Sequence, residues 1–280
     1  MTYSFLKGHG TENDFVLLPD HDGEVHGELT PQRVAALCDR RAGIGGDGVL
    51  RVIRTRALGE QQDAEWFMDY RNSDGSLSEM CGNGIRLFAR HLVDEGLATS
   101  PVRIGTRDGV KVVTVEGDRI TADLGVPRAY DDTEVAVGDR RWPAQHLDMG
   151  NPHAVAFVDD LDDAGDLLRA PEHDQDAYPH GVNVEFVVRR GPRHVAMRVH
   201  ERGSGETRSC GTGACAVMVA SALADGAGER GADGALTPPE AELTYRVDVP
   251  GGELAVTWTP DNHVLLTGPA LVVARGETDL

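Results

Sequence analysis

MCGNG at residues 80–84 and SCGTG at residues 209–213 are nearly one pentapeptide written twice, in a chain of 280 residues with four cysteines. A cysteine followed by Gly-x-Gly at the head of an apolar run reads as the mouth of a helix. There the first backbone N–H groups lack intrahelical partners and the helix dipole is positive, so an anion is stabilised. A thiol so placed loses its proton more readily than at its free pKa of about 8.5. The glycines, lacking Cβ atoms, let a ligand come close to the backbone. Cys81 and Cys210 lie 210 minus 81, or 129, residues apart, close to half the chain. That spacing predicts two similar α/β domains rather than a short-period solenoid.

Working outward, similar elements recur on both sides. Ser4 to Gly8 and Asp14 to Leu18 read as strands, and Thr30-Pro31 as the cap and first residue of a helix to about Asp39. GIGGDG at 43–48 leads into a strand, Glu65 to Tyr70 is another, and Asn83 to Glu95 reads as a helix stopped by Gly96. From Pro101 to Gly125, apolar and polar residues alternate between turn signals, as in a meander. After Ala129 the pattern repeats: MGNPHAVAFV, VNVEFVV and VAMRVH as strands, a helix after SCGTG, and a second meander of LTYRVDV, GELAVTW, HVLLTG and ALVVA. The expected domains are 1–128 and 129–267, with a last strand from 268–280 returning to the first. In the first helix Ile85, Phe88, Ala89 and Leu92 form an apolar stripe, with Arg86, Arg90 and Asp94 on the other face; ACAVMVASALA at 214–224 is uncharged all round and predicts near-complete burial.

Composition limits the function classes. The content is 40% apolar and 26% charged, as in ordinary globular proteins, and no uncharged run reaches the ~20 residues of a membrane helix. A formal net charge of -19 disfavours nucleic acid as a partner. No secretion signal is read at MTYSFLKGHGTENDF, so a cytoplasmic location is expected. Four cysteines without a CxxC pair suggest neither a disulfide scaffold nor a zinc site. GIGGDG satisfies the dinucleotide pattern, but it follows a helix and enters a strand, the reverse of the required context. A pyridoxal cofactor needs a Schiff-base lysine, and Lys7 and Lys111 are the only lysines. VDDLDDAG lacks calcium-loop spacing and reads as a solvated acidic turn. No metal or cofactor is therefore expected. Cys38 and Cys215 read as core residues, and His91 and His194 as surface or satisfied structural residues.

Two cysteines in equivalent settings suit inversion of a carbon acid beside a carboxylate. A base removes the proton from one face while an acid supplies one on the other, and a thiolate and a thiol exchange these roles with direction. Carboxylate binding at helix ends stabilises the carbanion as charge moves onto oxygen. Most free cysteines are merely buried small apolar residues; the repeated glycine context favours the chemical reading here.

MDYRNSDGSLSEMCGNGIR, GNPHAV, VNVEFV and HERGSGETRSCGTGACA, in this order and spacing, resemble the diaminopimelate epimerases, PLP-independent amino-acid epimerases of lysine and peptidoglycan synthesis. The resemblance runs from KGHGTENDF to the last meander. It implies two pseudo-symmetric domains, each a curved, mostly antiparallel sheet or barrel around a central helix, with the active site in the cleft between them and commonly a homodimer. It implies Cys81 and Cys210 as the acid/base pair, with His153 and Glu201 setting their protonation. Asn72, Asn151, Asn183, Glu201 and Arg202 would then hold the distal amino-acid end of diaminopimelate, Arg202 gripping its carboxylate bidentately. Gly82, Asn83, Gly211 and Thr212 would bind the reacting carboxylate, and Asn13 would line the same cleft. This chain departs from the commonest family pattern at Glu12, usually Gly, and at Gly48, often Gln. The alternatives to set beside this reading are a racemase of another amino acid, or a thiol redox protein with a reversible Cys81–Cys210 disulfide.

Overall fold

The computed structural model describes residues 2–280. The chain divides into two compact units, Met1–Ala122 with Gly268–Leu280, and Asp123–Thr267. The division falls at the end of the first meander, a few residues before the boundary expected at 128.

The first unit opens with a hairpin of β1 (Tyr3–Gly10) and β2 (Asn13–Pro19). Both residues of its turn, Thr11 (φ 47) and Glu12 (φ 62), are left-handed, as a two-residue turn matched to strand twist requires. Helix α1 (Pro31–Cys38) starts at Thr30, whose hydroxyl accepts from the Arg33 N–H at 3.3 Å. It leads to β3 (Gly48–Arg54), parallel to β2, and β4 (Trp66–Asn72), antiparallel to β3. Helix α2 (Gly82–Asp94) crosses over to β5 (Val102–Thr106), parallel to β4, and β6 (Gly109–Glu116) and β7 (Arg119–Asp123) complete the meander.

In the second unit β8 (Arg128–Val137), β9 (Arg140–Asp148) and β10 (Pro152–Phe157) form an antiparallel run, with the short β11 (Glu172–His173) against β8. Strand β12 (Asn183–Gly191) lies parallel to β10, β13 (His194–Glu201) antiparallel to β12, and the short β14 (Gly205–Thr207) folds back on β13. Helix α3 (Gly211–Ala224) and a small ribbon of β15 (Glu229–Arg230) and β16 (Leu236–Thr237) follow. Strand β17 (Leu243–Val249) is parallel to β13, and β18 (Gly252–Trp258) and β19 (Val264–Gly268) form the second meander. Finally β20 (Leu271–Thr278) returns to the first unit, antiparallel to β1.

The ladders are β20-β1-β2-β3-β4-β5-β6-β7 and β8-β9-β10-β12-β13-β17-β18-β19. Position by position they share one pattern: antiparallel, antiparallel, parallel, antiparallel, parallel, antiparallel, antiparallel. The duplication read from two pentapeptides is thus a duplication of topology, and β20 occupies in the first unit the place that β8 holds in the second. Among the described residues neither ladder closes into a barrel; each is an open sheet curled about its own helix, α2 meeting β1 to β6 and α3 meeting β9, β10, β12, β13, β17 and β18.

Every α3 residue from Gly211 to Ala222 is buried, which its uncharged sequence anticipates. Helix α2 differs from its amphipathic reading at one residue. Arg86 is fully buried rather than on a solvent face: its Nη2 donates to Asn83 Oδ1 at 3.0 Å and its Nη1 to the Gly82 carbonyl at 3.3 Å. The inward side of the first turn is polar because it serves the Cys81 end of the helix, so charge there does not mark an outer face. On the outer side of the sheet, α1 closes a core of Val16, Leu18, Leu29, Val34, Leu37, Cys38 and Val49. Strands β2 and β3 are largely buried; β2 reads as an apolar run, and the charge inside β3, Arg51, is paired with the buried Asp20. Among the described residues no helix is long and apolar enough to cross a membrane.

Candidate active site

Each unit presents one thiol at a helix mouth, built by the same backbone device. Cys81 is the N-cap of α2 with an extended backbone (φ −141, ψ 122), and its Sγ accepts from the Gly84 N–H at 3.4 Å. Cys210 is the N-cap of α3 (φ −116, ψ 117), and its Sγ accepts from the Gly213 N–H at 3.3 Å. In both, sulfur stands where a Ser or Asp oxygen usually caps, so the N–H group and the helix dipole favour the ionised thiol. The four cysteines are free thiols.

The side chains around the two thiols differ. At the first, Cys81 Sγ lies 3.7 Å from Asn13 Oδ1, which also accepts from Asn83 Nδ2 at 3.1 Å. Asn13 Nδ2 donates to Asp47 at 2.7 Å, and Asp47 meets Arg40, which also grips Asp14. Burial and the neighbouring Asp14 raise the Asp47 carboxyl. Against burial, hydrogen bonds from Arg40 and Lys7 hold Asp14 well below the usual carboxylate range. The hairpin turn and β3 are thereby fixed beside the helix mouth. Asn13, Gly82 and Asn83 are therefore together with Cys81. Asn72, at the end of β4, is engaged locally, accepting from the Tyr70 hydroxyl at 2.8 Å and donating to Ser76 Oγ at 3.0 Å.

At the second, Thr212 Oγ1 lies 3.6 Å from Cys210 Sγ. Behind it His153 of β10 and Glu185 of β12 meet at 2.7 Å between Nδ1 and Oε1, both side chains at 0% exposure. The other ring nitrogen, Nε2, faces Asn151 Oδ1 at 3.1 Å. Asn183 donates to the Pro152 carbonyl at 3.1 Å and accepts from the Arg202 N–H at 3.0 Å, which locks β10 to the turn after β13. The Arg202 guanidinium is exposed, touching the His180 carbonyl at 3.4 Å, and Glu201 accepts from the Thr207 hydroxyl. Burial, then the charges of Glu201 and Glu185, push the Cys210 thiol well above its ordinary value. Burial raises Glu185 as well, and His153 only partly offsets this. Asn151, His153, Asn183, Glu201, Arg202, Gly211 and Thr212 all belong to this unit with Cys210.

Sequence reading placed Arg86 on the wrong face and missed Asp47 and Glu185. Glu185 carried a signal, being the one charge in VNVEFVV, where Asn183 to Val188 are buried without a break. His91 is also corrected. It is 3% exposed, both ring nitrogens lack a hydrogen-bond partner, and burial lowers its pKa to about 4. His194 is structural as expected, with Asp248 at 2.7 Å, and Cys38 and Cys215 are core residues. Lys7 is ion-paired with Asp14 and Lys111 with Asp108. Among the described residues no group of three or more His, Cys, Asp or Glu side chains is placed to hold a metal ion. Gly48 has a steric reason: a Cβ there would stand 2.5 Å from the Arg71 carbonyl, so no longer side chain fits without moving β4.

A family model described as diaminopimelate epimerase matches residues 5–130 and 146–273. A diaminopimelate epimerase of Streptomyces coelicolor is 58% identical, covering 99% of this chain and 95% of its own. One of Corynebacterium glutamicum is 45% identical, covering 100% and 99%. Among solved structures, a PhzF-family phenazine biosynthesis protein of Bacillus anthracis superposes with a TM-score of 0.71 at 16% identity over 100% of both chains. A hydroxyproline epimerase of Agrobacterium vitis does so at 0.66 and 14%, over 99% of this chain and 91% of that one. These last two carry the two-domain fold alone.

Proposed function

The chain belongs to the diaminopimelate epimerase family, and from that premise we propose that it interconverts LL- and meso-2,6-diaminopimelate without a cofactor, Cys81 and Cys210 acting as the acid/base pair on one α-carbon. The observation that carries this reading is the doubled N-cap: two thiols in two topologically equivalent units, each accepting an N–H from the third residue onward.

One thiolate takes the α-proton, leaving the electron pair delocalised into the α-carboxylate. The opposite thiol then returns a proton to the other face, so each turnover exchanges the protonation of the two sulfurs and the reverse reaction restores it. Burial and two flanking carboxylates favour Cys210 as the resting thiol, which leaves Cys81 as the first base. Backbone groups at Gly82, Asn83, Gly211 and Thr212 hold the reacting carboxylate, where charge develops. Asn13, Asn72, Asn151, Asn183, Glu201 and Arg202 hold the rest of the substrate, with Arg202 on the distal carboxylate, and His153 and Glu201 adjust the thiols. The reading carries with it a homodimer, a cytoplasmic location and a role in lysine and peptidoglycan precursor synthesis.

The test is incubation with LL-diaminopimelate in deuterated water, with no cofactor added. Label should enter one α-carbon as meso product accumulates, and Cys81→Ala and Cys210→Ala should each abolish product formation. Absence of label with LL-diaminopimelate but turnover of another amino acid would replace the substrate.

A further inference from the structure

We propose that Glu185 is a positioning residue for Cys210: its carboxylate orients the His153 ring and keeps a fixed negative charge beside the thiol, so that Cys210 holds its proton until the substrate carbanion takes it. The inference deepens the reading above and rests on it.

Glu185 is the only charged residue in the buried stretch of β12, and nothing in a sheet interior calls for one. A buried carboxylate without a partner is strongly disfavoured, and this one has its partner on the adjacent parallel strand, where Val155 is opposite Glu185 and His153 opposite Asn183. Oε1 accepts from His153 Nδ1, while Nε2 faces the Asn151 oxygen. With a bond at each nitrogen, the ring can neither flip nor rotate without losing one. The second oxygen, Oε2, is buried with no hydrogen-bond partner. Glu185 therefore holds more acceptor capacity than His153 uses.

The carboxylate also lies near the thiol. A Cβ placed on Gly213 would stand 2.6 Å from Glu185 Oε1 and 3.2 Å from Cys210 Sγ, so carboxylate and sulfur border the same small space, kept open by the glycine. The equivalent position beside the first thiol, Gly84, faces the Leu50 side chain at 3.3 Å. The glycine beside one thiol thus borders a carboxylate, and the glycine beside the other an apolar side chain. The charged and titratable groups facing this cluster are Glu201 on the Cys210 side, His153 and Tyr178 on the Glu185 side, and His146 beyond His153. A negative charge fixed near a thiol disfavours its ionisation, so Glu185 opposes the pull of the helix end at Cys210.

The test separates charge from scaffolding. In a Cys81→Ala background, the rate of Cys210 alkylation by iodoacetamide is followed against pH, with and without Glu185→Gln. The amide should lower the midpoint by about one unit, roughly a tenfold gain in thiolate fraction at a given pH. The midpoint of Cys81 in a Cys210→Ala background should not move. With both cysteines present, Glu185→Gln should lower kcat at least about tenfold while leaving KM within about twofold, and Glu185→Asp should recover part of the loss. An unmoved Cys210 midpoint, or equal shifts at both cysteines, overturns the proposal, since a merely structural role predicts one or the other. Should Glu185→Gln fail to fold, Glu185→Asp carries the same test: the shorter side chain draws the charge back, and a Cys210 midpoint no lower than in the parent overturns the proposal equally. Alkylation does not depend on the substrate, so a failure of the epimerase reading registers separately, as wild-type protein inert toward LL-diaminopimelate.

Discussion

Adding one methyl group at each of two equivalent positions would test how much the surroundings of the two thiols differ. Gly84 and Gly213 occupy the same place in α2 and α3, and the N–H of each donates to a capping thiol. In an exposed helix, Gly→Ala gains about 1 kcal/mol of backbone propensity. At Gly84 the new carbon meets Leu50 Cδ2 at 3.3 Å, the far end of a rotatable side chain that can yield a few tenths of an ångström. At Gly213 it meets Glu185 Oε1 at 2.6 Å, an atom pinned by the bond to His153 inside a fully buried pair. Overpacking of this kind costs about 1–3 kcal/mol. We expect Gly84→Ala to lie between neutral and about 1 kcal/mol more stable than wild type, and Gly213→Ala to be up to about 2 kcal/mol less stable, once propensity is set against overlap. Urea unfolding at pH 7.5, followed by far-ultraviolet circular dichroism, measures the difference. Gly213→Ala should also lose far more kcat than Gly84→Ala, because the displaced atom belongs to the His153–Glu185 pair. Equal stability and equal kcat for the two variants would refute this account of the Cys210 surroundings.

Other expected outcomes follow from single residues. Glu12 is strained at φ 62, so Glu12→Gly should raise stability by about 0.5–1 kcal/mol in the same assay without loss of its backbone N–H bond to His9. Arg86→Met leaves the Gly82 carbonyl and Asn83 Oδ1 short of a buried donor; it should cost about 2–4 kcal/mol and raise KM by freeing Asn83. His26 and His91 are buried with pKa values lowered from 6.5 to about 4. The unfolded chain then binds protons at a higher pH than the folded one, so their contribution is complete above about pH 6.5 and lost as pH falls toward 4. A Tm profile against pH should fall through that window, and His91→Leu should flatten it. Arg202→Met should reduce kcat/KM for diaminopimelate by about a hundredfold or more, with unfolding unchanged, since its guanidinium is exposed.

The sequence announced what repeats and what is local. Two pentapeptides imply two units because a cysteine before Gly-x-Gly, followed by a helix-forming run, has few other uses, and both residues are N-caps as that reasoning requires. The burial of α3 was legible because it lacks charge on every face, and the turn residues marked both meanders. Arg86 was misread because periodicity assigns charge to solvent, whereas the first turn of α2 needs a buried donor for its own carbonyl and for Asn83. Glu185 and Asp47 were missed for a related reason. Their partners, His153 and Asn13, lie 32 and 34 residues away and come within reach only when parallel strands align. Spacing along a chain cannot foretell such a meeting, although an isolated acid inside an apolar strand can prompt the search for it.

Strand β20 pairs with β1 from Tyr3↔Thr278 to His9↔Leu271, so the chain's second unit is spliced into its first. During synthesis the edge of β1 stays uncovered until residues 271–278 have emerged. Cutting the gene at the midpoint would give a first half missing its border strand and a second half burdened with a foreign one. Separately expressed halves should therefore be divided as the topology dictates, with residues 268–280 joined ahead of residue 2 by a flexible linker in a circularly permuted first unit.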